Sequence, residues 1–99
     1  MKPRKWRVTY DVQETTLSYA GPNYHVSREQ YVGEIEMIPT VGNVRRYIEE
    51  QFPDDSVDET WMTLKEQISD GLEYGMFSVS LKEHPNDNMD TRSVGFLEV

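Results

Sequence analysis

The sequence predicts an α+β domain in which two helices pack on one face of an antiparallel sheet of about four strands. Apolar and polar residues alternate near both ends of the chain, as is typical of half-buried strands, and two stretches between them carry apolar residues at helical spacing. Strands that are segregated from helices along a chain favour this class. The predicted order is β-β-α-α-β-β, and residues 1–99 are expected to form a single domain.

Two strands are predicted in the first half of the chain. Residues 5–13 alternate cleanly, and residues 29–38 form a second alternating run that ends at Pro39, because proline cannot donate to a sheet. Between the runs, Gly21 and Pro22 indicate a turn. The residues predicted to share the apolar faces are Trp6, Val8, Tyr10 and Val12 in the first strand and Tyr31, Gly33, Ile35 and Met37 in the second.

Two helices are predicted in the middle of the chain. Thr40 is expected to be the N-cap of the first, which Pro53 ends. Ser56 and Glu59 have the spacing of a capping box for the second, and Gly71 is expected to follow its last turn. The residues predicted to face the core are Val41, Val44, Ile48 and Phe52 in the first helix and Trp61, Leu64 and Ile68 in the second.

The last quarter of the chain predicts a hairpin. Residues 77–81 alternate, residues 84–90 are rich in turn formers, and residues 94–99 form the return strand. The return strand ends at the C-terminus, so we expect it to lie at an open edge of the sheet.

Composition excludes several classes of protein. The chain has no cysteine, which rules out disulfide frameworks, zinc ribbons and thiol nucleophiles. It contains two Trp, six Tyr and three Phe, more aromatic residues than a disordered acidic chain carries. No apolar run approaches the roughly 20 residues that span a bilayer, and no secretory signal is visible. A cytoplasmic protein with no membrane association is therefore expected.

The charge of the chain is unevenly distributed. The formal net charge is −8, yet four of the ten basic residues lie within the first seven positions. The remainder is strongly acidic, which argues against direct binding to nucleic acid or to an anionic membrane. The basic start mixes cations with Trp6, as nucleic-acid binders do, but cations also protect an edge strand from aggregation, and we favour that interpretation.

Six carboxylates lie close together in residues 49–59, which we call the acidic window. No Lys or Arg occurs from Tyr47 through Leu64, and like charges this close repel by about 1 kcal/mol per pair in water. The second half of the window is expected at a helix start, where negative charge is favourable, whereas Glu49 and Glu50 are expected at a helix end, where it is not. The window is either a solvated corner between two helices or a contact surface for a basic partner. Pairing of Arg45 and Arg46 with Glu49 and Glu50 at the i, i+4 spacing would weaken the second interpretation.

No catalytic, metal-binding or cofactor-binding residue is predicted. Asp54, Ser56 and Asp58 have the odd-numbered spacing of a calcium loop, but Glu59 stands where that loop needs Gly and Lys65 where it needs Glu. A second loop, at residues 86–97, fails in the same way. His25 and His84 lie in turn-rich segments without a neighbouring ligand, and no nucleophile or phosphate-binding motif is present. The chain is therefore predicted not to be an enzyme.

These observations predict a small acidic protein-binding inhibitor or modulator that occupies a basic groove of a nucleic-acid-processing complex. Carboxylates would stand there in place of phosphates, and tyrosines would provide anchoring side chains beside them. In size and charge alone, the chain is similar to small phage-encoded inhibitors of host machinery, anti-CRISPR proteins among them. The predicted partner-binding residues are Glu49, Glu50, Asp54, Asp55, Asp58, Glu59, Tyr19 and Tyr24.

The alternative is a homo-oligomeric structural or adaptor module. In that case the return strand at residues 94–99 would pair with a second copy through the open edge of the sheet, giving a homodimer. Salt distinguishes the two hypotheses, because a charge-driven complex weakens with ionic strength and a sheet-edge dimer does not.

Overall fold

A computed structural model describes residues 2–16, 21, 24–83 and 90–99. Within these residues the predicted class and order are confirmed: four antiparallel strands and two helices follow each other as β-β-α-α-β-β. Neither helix is long and apolar enough to cross a membrane. The elements are β1 (Arg4–Thr16), β2 (Tyr24–Met37), α1 (Val41–Gln51), α2 (Leu64–Tyr74), β3 (Met76–Leu81) and β4 (Thr91–Glu98).

The strands are arranged in the order β2-β1-β4-β3. The C-terminal strand β4 therefore lies between β1 and β3, and the prediction that it forms an open edge is wrong. β1 is also an inner strand, so its cations do not protect an edge. The sheet edges are β2 and β3, a result of long-range pairing that no local pattern in the sequence encodes.

A β-bulge in β2 changes which of its residues face the core. Val8 pairs with Gly33 and the next residue, Thr9, pairs with Tyr31, so Val32 is the additional residue. An extra residue reverses the alternation of side chains beyond it. Val32 consequently packs against the core, whereas Tyr31 lies on the opposite face with 60% of its surface exposed. The prediction that Tyr31 shares a face with Ile35 is wrong for this reason.

The core lies between the sheet and the two helices. Trp6 of β1 and Phe96 of β4 are almost completely buried, and Phe77 of β3 contacts both of their rings. The opposite face of the sheet is not covered by either helix, and Lys5, Arg7 and Ser78 are exposed there. The buried hydrophobic residues are Trp6, Val8, Met37, Val44, Ile48, Val57, Leu64, Ile68, Phe77, Val79, Leu81, Val94 and Phe96.

Helix α1 forms as predicted. The Thr40 hydroxyl accepts a hydrogen bond from the Asn43 amide at 3.1 Å, as an N-cap does, and the helix ends at Gln51, just before Pro53. Val44 and Ile48 are fully buried one turn apart, which confirms the predicted apolar stripe in its centre.

Helix α2 starts later than predicted. Its capping box consists of Thr63 and Glu66, not Ser56 and Glu59. Residues 56–58 instead extend along β3: the Asp58 amide donates to the Ser80 carbonyl, and the Lys82 amide donates to the Ser56 carbonyl, both at 2.8 Å. These backbone bonds hold the segment extended, so it cannot begin a helix.

The two glycines near the end of α2 have separate functions. Gly75, with a φ of 74°, is the left-handed C-cap that Gly71 was predicted to be. Gly71 is buried inside the helix against Phe77, and a Cβ added there would lie 2.2 Å from Cδ1 of that ring. Gly71 therefore allows α2 to approach β3 closely.

We predict that Gly71→Ala destabilises the protein by about 1–3 kcal/mol, because the added methyl group overpacks the core. Gly42→Ala is the matched control: Gly42 lies in α1, a Cβ there meets nothing within 4 Å, and alanine is the better helix former by up to about 1 kcal/mol. In urea unfolding, the free energy of unfolding should be lower than that of the wild type for Gly71→Ala and higher for Gly42→Ala. A neutral or stabilising Gly71→Ala would contradict the packing described.

Candidate functional site

Helix α1 divides the acidic window between two sides. With Val44 and Ile48 facing the core, the helical periodicity sets Glu49 and Glu50 on opposite flanks. Glu49 lies one turn after Arg45, on the flank that faces the loop before α2. Glu50 lies on the flank that faces β2, where it lines a groove with Tyr47. Carboxylates that are adjacent in sequence are thus presented in two directions.

On the loop side, Glu59 stabilises the fold. Its Oε1 accepts hydrogen bonds from Arg45 Nη2 at 3.0 Å and from the Leu64 amide at 3.1 Å. Leu64 is the first residue of α2, so Glu59 caps that helix while it joins the loop to α1. Arg45 therefore pairs with Glu59 and not with Glu49, the partner that the i, i+4 spacing had left open.

Asp58 also has an internal hydrogen-bonding partner. One of its carboxylate oxygens accepts from both the backbone amide and the hydroxyl of Thr60. The hydroxyl bond, together with the amide bond, lowers the pKa of Asp58 below its usual range. Asp54, Asp55 and Asp58 do not lie in the first turn of a helix, so the prediction made for them from the helix dipole is wrong, whereas the Glu59 carboxylate does reach the first amide of α2.

Trp61 lies on the surface rather than in the core. Its side chain is 95% exposed, in contrast to the fully buried Trp6. The residues around it are fixed on both sides, by the Asp58 bond to Thr60 and by the capping box of Thr63. The capping pattern at Ser56 predicted that Trp61 lies in the second helix and faces the core. Helix α2 starts only at Leu64, so that prediction is wrong.

Three carboxylates of the acidic window have no ion-pair partner among the described residues, although Arg46, one turn before Glu50, lines the same groove. Glu49, Glu50 and Asp54 are exposed and form no ion pair within the described residues. Helix α1 also has no basic residue in its last turn. Since the C-terminal end of a helix is itself partly negative, charge repulsion there is not relieved by the helix dipole. Asp55 is half-buried in the turn, where its amide donates to the Phe52 carbonyl at 3.0 Å.

The basic start of the chain is neutralised by the sheet. Lys5 and Arg7 lie 3.4 and 3.6 Å from carboxylate oxygens of Glu34 on β2, and Arg4 lies 3.1 Å from Glu98 on β4. Cross-strand pairs of opposite charge stabilise a sheet. These cations therefore compensate acids of the sheet and not those at the end of α1.

Two cavities lie between α1 and β2, and we call them together the α1–β2 groove. Residues 35–37 of β2 and the following Ile38 line the first, and residues 30 and 32 of β2 line the second, at the end of that helix. The two cavities follow β2 over about 20 Å. The groove has a partly buried apolar floor and acidic residues at its rim. The floor includes Tyr10, Val32, Ile35, Tyr47 and Phe52, and the acidic rim is formed by Glu36, Glu50, Asp54 and Asp55.

The structure does not bring Tyr24 together with the acidic window. Tyr24 is the first residue of β2 and pairs with Thr16, whereas the window lies beside Gln30. Six residues of extended chain separate Tyr24 from Gln30, which is about 20 Å. Tyr19 lies outside the described residues.

The described residues contain no group of His, Asp and Glu arranged to hold a metal ion. His84 and the loop at residues 86–89 lie outside the described residues. His25 is part of β2. Comparison with known proteins adds no assignment, since no family model, curated protein or solved structure matches the chain.

We predict that the carboxyl group of Asp58 titrates below about 3.9, the ordinary pKa of aspartate, and that Thr60→Ala raises its pKa. The hydrogen bonds favour the charged form, so their contribution to stability is present above the unfolded-state pKa and is lost as the pH falls through the lowered one. Carboxyl ¹³C chemical shifts would measure both values. Thr91→Ala, on β4, is the control and should leave the pKa of Asp58 unchanged. An Asp58 pKa insensitive to Thr60→Ala would contradict the assignment.

Proposed function

We propose that this chain is a small non-enzymatic inhibitor or modulator that acts in the cytoplasm by occupying a basic groove of a nucleic-acid-processing complex. Its carboxylates take the positions of phosphates, so that it competes with nucleic acid without binding it. The observation that carries the proposal is the uncompensated charge of Glu49, Glu50 and Asp54 at the C-terminal end of α1.

The distribution of charge supports a protein partner with a basic surface. Arg4, Lys5 and Arg7 are engaged by acids of the sheet, and Arg45 is engaged by Glu59. The exposed acids in the last turn of α1 form no ion pair within the described residues, so their charge stays available to a partner. A field of one sign accelerates association with an oppositely charged surface.

Trp61 provides an apolar contact beside the charged one. Glu59, two residues before it, is bonded to Arg45, and Glu49 follows Arg45 by one turn of α1. This chain of contacts sets Trp61 near the loop side of the window. Tryptophan is enriched among the residues that dominate binding energy, and the 95% exposed Trp61 ring has most of its surface free to contact a partner. Trp61 takes the anchoring role that the sequence assigned to tyrosines.

A second candidate function is a homo-oligomeric module that pairs through a sheet edge. The observation in its favour is the position of β2, whose 14 residues lie at the edge of the sheet. Two-fold pairing of β2 with itself would give a continuous sheet of twice the width.

The proposed function predicts capture of a basic protein that is released by salt. Immobilised wild-type protein should retain a nucleic-acid-processing component from prokaryotic lysate at low ionic strength, because screening weakens exposed charge pairs, and mass spectrometry of a salt-gradient eluate would identify it. The variant Glu49→Lys/Glu50→Lys/Asp54→Lys should bind the identified protein at least about tenfold more weakly.

The matched control is Asp70→Lys/Glu73→Lys/Glu83→Lys, which changes the net charge equally at exposed sites outside the acidic window. It should retain most of the affinity, and circular dichroism should show that both variants are folded. If both triple variants lose affinity equally, binding depends on net charge alone and not on the position of the three carboxylates, which would contradict the proposal. Retention of nothing but the protein itself, as a dimer at every salt concentration, would favour the homo-oligomeric module.

A further inference from the structure

The two edges of the sheet differ in how far the chain covers them. Residues 56–58 lie along the end of β3 and form two backbone hydrogen bonds with it, on either side of the Val57–Leu81 bridge. No described segment pairs with the outer side of β2. β2 therefore presents backbone donors and acceptors that can pair with an added strand.

The α1–β2 groove lies along this open edge. Val32 and Ile35 are only partly buried, because α1 is held over the inner strands and does not cover β2. A strand added to β2 would place every second side chain beside these residues, on the face of the sheet that carries α1. The groove thus offers apolar surface on the same side as the unpaired backbone.

The rim of the groove is acidic along its length. Glu50 lies at the end near Ile35, and Asp54 lies at the end near Val32. Both are exposed and neither forms an ion pair within the described residues. Arg46 is the one basic residue among those that line the described groove. A cationic occupant is therefore favoured over a neutral or acidic one.

We infer that the partner contributes an extended basic segment, which binds as a fifth strand along residues 30–37 of β2. Its backbone pairs with the open edge, its apolar side chains enter the α1–β2 groove, and its Lys or Arg side chains contact Glu50 and Asp54. This inference rests on the proposed function and specifies how the partner is recognised: backbone pairing gives affinity, and the alternation of side chains gives specificity.

A second copy of the chain fits this site less well than a basic segment does. Each copy would bring its own Glu36, Glu50 and Asp54 to the shared edge, and like charges that face each other across an interface oppose association. The bulge at Val32 also interrupts the alternation that two identical edges would have to match.

The test uses a fluorescein-labelled peptide of about ten residues in which every second residue is threonine and the residues between them are alternately valine and lysine, so that valine and lysine share the face that meets the groove. Wild-type protein should bind it, as measured by fluorescence anisotropy. N-methylation of every second backbone amide, on the residues whose N–H groups face β2, should weaken binding by about tenfold or more, and so should Glu50→Lys/Asp54→Lys. The control Asp70→Lys/Glu73→Lys has the same charge change in α2 and should bind normally. Amide chemical-shift changes should be concentrated in residues 30–37 and α1.

Three outcomes would overturn the inference. These are absence of binding up to ~1 mM peptide, binding that is insensitive to N-methylation, and concentration-dependent dimerisation with shift changes in β2 in the absence of peptide.

Retention of the captured partner by different variants distinguishes failure of this inference from failure of the proposed function. If the partner is lost with Glu49→Lys/Trp61→Ala but retained by Glu50→Lys/Asp54→Lys, the groove is not the site and the acidic inhibitor stands. If it is retained by both double variants and by the triple variant, both proposals fail. Loss of the partner with Glu50→Lys/Asp54→Lys, alongside the weakened binding that Glu49→Lys/Trp61→Ala should also show, is the result expected from recognition in the groove.

Discussion

The stacked rings of Phe77 and Phe96 are the contact on which the rest of this structure depends. Their centroids lie 4.6 Å apart with planes 8° from parallel, and they are register partners on β3 and β4. Trp6 contacts the edge of this pair from β1, Tyr47 contacts it from α1, and Gly71 allows α2 to pack on it. Aromatic pairs in such geometries add to the stability gained by burial. Because the cluster holds both helices over the inner strands and β3, it leaves β2 partly uncovered and so creates the α1–β2 groove.

The ion pairs of the described residues involve acids of the sheet and of the loop before α2 rather than those at the end of α1. The sheet contains its own compensation, since cations of β1 contact Glu34 and Glu98 on the neighbouring strands. The loop before α2 uses Glu59 as a cap and Asp58 as a local acceptor. At the end of α1, Glu49, Glu50 and Asp54 form no ion pair within the described residues, and Arg46 is the one basic residue that lines the groove beside them. Such charge is unfavourable to the fold and favourable to association with a basic surface.

The sequence was sufficient to predict the fold class, the order of elements and helix α1, because each rests on periodicity or on a local cap. It was insufficient where two local signals competed. Ser56 with Glu59 and Thr63 with Glu66 have the same capping-box spacing, and only the backbone pairing of residues 56–58 with β3 decides between them. That decision moved Trp61 from the predicted core to the surface.

The edges of the sheet and the divided acidic window were unpredictable for a related reason. Strand order depends on long-range pairing, and the bulge at Val32 reverses the faces of β2 without a signal in the alternation itself. Residues 49–59 are one run in the sequence, but α1 separates Glu49 from Glu50 in space. Of the predicted partner-binding residues, Asp58 and Glu59 have structural roles, whereas Glu49, Glu50 and Asp54 remain available to a partner.

The central claim is that these three carboxylates serve binding at a cost to the fold. The most direct test is the free energy of unfolding of Glu49→Gln/Glu50→Gln/Asp54→Asn, measured in urea at low salt. Removal of the repulsion at the end of α1 should make this variant more stable than the wild type by about 1 kcal/mol or more in total. A variant that is equally or less stable would contradict the claim, because the carboxylates would then be supporting the fold rather than awaiting a basic partner.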